Sequence, residues 1–219
     1  MVSLSNHGFC VDRRSRTTIP GQMRYFSPDA YVMVRPAAAF RALAAQPAVP
    51  GPWTAWRRPL FMAFLLGCTI SLTTTGSLTL RLVVSAALSW SFVPAIEIAA
   101  LALVLHGAGH WGRLPRLVDV FCMGCSVWSV WLIGVSMIFA AVPPAHVFTA
   151  FYSWLEVGGV LVLLWSAYVD YCFFHEVLRC SGARARRVLL LHRLLSWIPI
   201  LLIISLPAIV PAIVYFAGR

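Results

Sequence analysis

Leu78–Leu105 reads LTLRLVVSAALSWSFVPAIEIAALALVL, an apolar run interrupted by only two charges, Arg81 near one end and Glu97 in the second half. About 20 predominantly apolar residues carry an α-helix across the roughly 30 Å hydrocarbon core of a bilayer, so this run is long enough to span. Pro94 lies in its middle and removes a helical hydrogen bond, which predicts either a kinked span or a tilted half-helix followed by a shorter one. The rest of the chain agrees with a membrane reading. Of 219 residues, 60% are hydrophobic and only 11% charged, where soluble domains average about 25% charged. A soluble globule and a disordered chain are both excluded, and the expected fold is an all-α polytopic membrane bundle.

Working outward from that run, the sequence predicts five transmembrane helices over 59–74, 78–105, 117–142, 147–171 and 194–216. The TTTGS stretch, Thr73–Ser77, makes the turn between the first two, and Pro143–Pro144 stops the third. Pro199, Pro207 and Pro211 predict a bent or broken second half of the fifth. Residues 1–34 are polar and without helical period, and read as a mobile cytoplasmic tail. Residues 35–58 follow as a surface helix and an interfacial belt: a short amphipathic helix lies on the membrane surface, with Phe40, Leu43 and Ala44 on one face and Arg41 off it, and the Gln46–Pro52 run ends it. Trp53, Trp56, Arg57 and Arg58 then form an interfacial belt, and 59–219 is the transmembrane bundle.

The formal net charge of +10 has a topological reading. Arginine and lysine concentrate in cytoplasmic loops. With five alternating spans, fourteen arginines fall on the side of the N-terminus and of the 106–116 and 179–187 loops, against Arg219 alone on the other. The N-terminus is therefore expected in the cytoplasm and the C-terminus outside, and the basic balance needs no nucleic-acid partner. All 17 basic residues are arginine, which with abundant alanine points to a GC-rich bacterial genome and the inner, cytoplasmic membrane. The first 22 residues lack the apolar core and cleavage site of a signal peptide, and translation from Met1 or from Met23 both remain open.

Ionisable groups inside spans carry the most chemical information, because a charge at the bilayer centre costs about 2.5–3.5 kcal/mol on insertion scales. Arg81, Glu97, Glu156 and Asp170 are the intramembrane polar candidates. Glu156, Gly159, Leu163, Ser166 and Asp170 fall on one helical stripe that should face the bundle, and Arg81 is placed to reach Glu156 if their spans are neighbours. The functional reading of these groups is a proton, ion or substrate path; the structural reading is a set of acids that fasten helices together. Arg179, Arg184, Arg186 and Arg187 are candidates for anionic lipid headgroups, each contributing roughly 1 kcal/mol near the surface. Cys122 and Cys125 form a CMGC motif inside the third span, and the expectation is close helix packing over thiol exchange. His106 with His110, and Cys172 with His175, have ligand-like spacings but lack a complete zinc set. No metal, cofactor or catalytic residue is assigned.

The stretch RPAAAFRALAAQP, Arg35–Pro47, ahead of five spans with a short basic link between the last two, resembles the bacterial members of the Yip family over about 35–216. The resemblance implies a five-span integral membrane protein and brings no catalytic residue with it. The expected role is a non-enzymatic organising or interaction protein whose partners are the lipid bilayer, anionic headgroups, and a membrane-protein partner or second copy of itself. A small transporter or proton-coupled permease subunit using Glu97 and Glu156 is the alternative, and a membrane thiol or metal enzyme the third reading.

Overall fold

The computed structural model describes residues 27–46, 52–142 and 151–217, with side chains to Leu206. Every regular element among the described residues is helical. Three helices are long and apolar enough to cross a membrane: Leu80–Gly107, Ser153–Val177 and Gly182–Leu206. A fourth crossing results if Trp111–Gly124 and Ser126–Ala141, bent by 42° at their junction, act as one span.

Part of the segment read as a mobile tail is ordered. Helix α1, Pro28–Val34, starts at Ser27, whose hydroxyl accepts from the Ala30 amide, the usual way a helix satisfies one of its first unpaired N–H groups. Tyr31 and Val32 are buried, so for 28–34 the tail expectation is corrected; residues 1–26 lie outside the described residues. Helix α2, Pro36–Ala45, follows after Arg35. Its apolar face is the expected one, but protein covers it instead of lipid. Ala39, Phe40 and Leu43 are buried in the main core, and the Phe40 ring meets Phe173 edge-on at 5.8 Å. α2 is thus a docked cap and not a free surface helix.

Helix α3 spans Pro52–Thr75, so the Trp53–Arg58 belt forms its first turns and does not precede it. With two arginines at one end and threonines at the other, α3 is not among the helices apolar enough to cross by composition. The threonines bond locally: Thr74 and Thr75 hydroxyls donate to the carbonyls of Ile70 and Ser71 at 2.7 and 2.8 Å, a second donor on carbonyls four residues back in the last turns of the helix. α4, Leu80–Trp90, and α5, Phe92–Gly107, read as one spanning segment of 28 residues. The interruption falls at Ser91, three residues before Pro94, because proline lacks the N–H that would bond the carbonyl four residues back. α4 lies close along α3 at Gly67, where a Cβ would come within 2.4 Å of the Val83 carbonyl oxygen.

A short 3-10 turn, Trp111–Arg113, leads into α6, Leu114–Gly124, and α7, Ser126–Ala141. The third predicted span is therefore broken at Cys125, inside CMGC. Residues 143–150, which hold Pro143, Pro144 and the predicted start of the fourth span, lie outside the described residues. α8, Tyr152–Cys172, ends in a π-helical turn over Phe173–Val177. A left-handed residue, Arg179 (φ 53), helps turn the chain into α9, Gly182–Ala217. The fifth helix begins twelve residues earlier than the predicted 194 and continues through Pro199, Pro207 and Pro211 without the expected break. Arg184, Arg186, Arg187 and Arg193 are consequently helical.

Packing sorts into two clusters. The larger lies where α2 docks and joins Phe121, Leu101, Leu105, Val169, Phe173 and Phe174. The smaller brings Leu72 of α3 and Phe139 of α7 together with Leu155 of α8. The end of α3, the end of α7 and the start of α8 therefore share one end of the bundle, and α1 and α2 cap the other.

Candidate functional site

Three helices converge on a polar cluster between these two ends. Asp170 of α8 accepts from Arg193 Nη2 of α9 at 2.6 Å, and the same nitrogen donates to Ser166 Oγ at 3.0 Å. Ser166 is 2% exposed and Asp170 8%. About 16 Å of helix separates Arg193 from Gly182, and about 15 Å separates Glu97 from Gly107, at 1.5 Å per residue. Both are mid-span. A carboxylate and a guanidinium at that depth are tolerable because each neutralises the other and the hydroxyl takes a further donor.

Sequence position explains how the groups meet. Ser166 and Asp170 are four apart, one turn on the same face of α8. His192 and Ser196 occupy a second such pair on α9, and both are buried. His192 Nε2 donates to the backbone carbonyl of Glu97 at 3.3 Å, tying α9 to α5. Its ring is held between Phe121 at 5.1 Å and Phe174 at 5.9 Å. Arg193 also lies 5.9 Å from the Trp197 ring centroid, a favourable cation–π placement.

Glu97 belongs to this cluster without sharing its hydrogen bonds. It lies within electrostatic range of both Asp170 and Arg193, and it lines a cavity of about 40 Å³ with Met62 and Leu66 of α3, Phe121 and Cys122 of α6, and Cys125. The CMGC motif has a packing explanation here. A Cβ on Gly124 would meet Val169 at 3.0 Å and approach an Asp170 oxygen at 3.8 Å, so glycine lets α6 come close to α8 where the ion pair lies.

The four intramembrane candidates divide. Glu97 and Asp170 come together. Arg81 and Glu156 do not join them: both are exposed, and among the described residues neither has an ion pair. Glu156 stands about 6 Å along α8 from Tyr152, nearer the helix start than the depth expected for it. The expected Arg81–Glu156 pairing is corrected, since α4 packs on α3 and α5 while Asp170 finds Arg193. The stripe on α8 faces the bundle only in its second half, at Ser166 and Asp170. Sequence reasoning missed Arg193 and His192 because the fifth span was started at 194, just beyond them, and not at Gly182. The signal available was the i, i+4 and i, i+1 spacing of His192, Arg193 and Ser196 beside Leu194 and Leu195.

A second set of polar contacts fastens the cap. Arg41 forms a two-pronged pair with Glu176, Nε to Oε2 at 3.0 Å and Nη2 to Oε1 at 2.8 Å. Arg58 holds Asp29 through Nε at 3.0 Å and Nη2 at 3.3 Å, and donates to Asp119 as well. Arg116 donates to the carbonyls of Leu43, at 3.2 Å, and Gln46 at the end of α2, a favourable position for a cation. Trp165 Nε1 donates to the Met33 carbonyl at 3.0 Å. Of the lipid-headgroup candidates, Arg179, Arg184, Arg186 and Arg187 are all exposed at this capped end. Among the described residues, no group of three or more His, Cys, Asp or Glu side chains is arranged to hold a metal ion.

Comparisons of the chain with protein-family models, curated proteins and solved structures find no match.

Proposed function

We propose that this chain is a five-span, Yip-like protein of the bacterial inner membrane, with a cytoplasmic N-terminus and an external C-terminus, acting as a non-enzymatic interaction or organising protein. The docked cap carries the reading. α2 buries its apolar face against Phe173 and leaves Arg35 and Arg41 outward; Arg179 lines one groove with Arg41, and Arg184, Arg186 and Arg187 are exposed on the first turns of α9. The docked cap and the start of α9 together present these arginines in a fixed arrangement suited to anionic headgroups and to an acidic surface on a membrane partner or second copy. Arginine asymmetry supports the orientation, and the sharing of one bundle end by the end of α3, the end of α7 and the start of α8 supports alternating crossings.

Reporter fusions test the topology: a reporter after Arg219 is expected outside, and one inserted in the Arg179–Ser181 turn is expected in the cytoplasm. A cytoplasmic C-terminal reporter would contradict the five-span count. Photo-cross-linking in native membranes tests the role. A cross-linker at Arg41 or Arg186 is expected to trap a defined protein or a second copy, whereas one at lipid-facing Leu201 traps lipid alone. Cross-links from the cap to lipid only would remove the interaction reading.

A further inference from the structure

The Asp170–Arg193 pair is complete in charge, and Glu97 is a second carboxyl beside it. Two carboxylates against one guanidinium leave a net negative charge in the middle of the bundle, so a neutral cluster contains one proton. The hydrogen bonding locates it. Asp170 and Ser166 take up Arg193 Nη2. Among the described residues, no donor reaches the Glu97 carboxyl, whose backbone oxygen alone is engaged. Glu97 lines a cavity of about 40 Å³ whose other polar lining residues are Cys122 and Cys125, a volume that exceeds the about 10–15 Å³ one water needs. Among the described residues, Arg193 Nε, Trp197 Nε1 and His192 Nδ1 are buried with no hydrogen-bond partner. Besides the Glu97 carboxyl, His192 Nδ1 is an unpaired acceptor in this cluster, but Glu97 is the acceptor that carries a negative charge when it loses a proton.

We propose that Glu97 and this cavity form a proton-binding site that competes with Asp170 for Arg193. With a proton on Glu97, the guanidinium stays on Asp170. When the proton passes to water in the cavity, the Glu97 carboxylate attracts the guanidinium through the free Nε–H, and the link between α8 and α9 loosens as one between α5 and α9 forms. No electrons move, and the only species bound or released is the proton. The groups facing Glu97 are Asp170 from α8, His192 and Arg193 from α9, and Cys122 and Cys125 from α6 and its end. The α3 residues that line the cavity with it, Pro59, Met62 and Leu66, carry no charge. This site goes beyond the interaction role proposed above and does not depend on it.

Infrared spectroscopy of the full chain in proteoliposomes tests it, read as the carboxylic-acid C=O band during a pH titration. A band that disappears as pH rises, and that is lost throughout in Glu97→Gln, is the expected result. Asp170→Asn frees Arg193 for Glu97, so the titrating band should be lost there too although Glu97 is intact. Arg193→Gln, which removes the guanidinium from both acids, should make the band grow. Absence of any titrating acid band in the unaltered protein overturns the site. Its persistence in Glu97→Gln overturns the assignment, and an unchanged band in Asp170→Asn overturns the competition.

Discussion

Asp170→Leu is expected to destabilise the folded protein by about 3–5 kcal/mol, the usual cost of removing one partner of a buried pair. The loss arises less from the missing attraction than from what stays behind. Arg193 is anchored mid-helix in α9, its Nη2 is held by Asp170 and Ser166, and its side chain is 16% exposed. Without the Asp170 carboxylate the guanidinium keeps a hydroxyl and the face of Trp197, and it regains an anionic partner only by drawing the proton off Glu97, which returns part of the loss. The double variant Asp170→Leu with Arg193→Leu should recover most of that loss, because replacing both charges by apolar groups removes the desolvation cost together with the attraction. Thermal unfolding in mild detergent, followed by helical circular dichroism, measures both. If the double variant is as unstable as the single one, the destabilisation comes from α8–α9 packing and not from the stranded charge.

Phe40→Ala should be comparably severe, at about 3–5 kcal/mol. Phe40 is 0% exposed and meets Phe173 edge-on, and Phe173 continues the contact to Phe121 and Phe174. Removing the ring opens a cavity at the junction of α2, α6 and the π-helical turn. Arg41→Gln, one residue on, is the control. Its pair with Glu176 has a guanidinium side chain that is 71% exposed, and an exposed pair contributes only about 0.2–1 kcal/mol. Limited proteolysis within 28–46 reports on cap docking. The large difference between adjacent positions is what separates a cap held by its core from one held by charge. Equal protection in Phe40→Ala and the unaltered protein would show that the cap does not depend on its buried face.

Some of this was readable from residue order alone. Leu78–Leu105, the low charge content and the arginine-rich 179–187 segment identify an all-helical membrane protein, because hydropathy and helical period are local properties summed along the chain. The amphipathic face of α2 was readable for the same reason. Composition did not show that lipid would be replaced by Phe173 and Phe121 as its covering. Nor did it give the count of crossings, where three helices among the described residues meet the length and apolarity required, or four with the bent pair.

The pairing of charges belonged wholly to the tertiary structure. Arg41, Arg58 and Arg116 are topogenic residues in a sequence reading, yet each is also bonded across at least 29 positions to hold the cap. Glu156 and Asp170 occupy the same helical stripe, and only Asp170 meets an arginine. The physical reason is that insertion energy depends on what a residue is and how deep it lies, whereas neutralisation depends on which helix packs beside it. Gly124, by letting α6 close on Val169, helps set which helix that is.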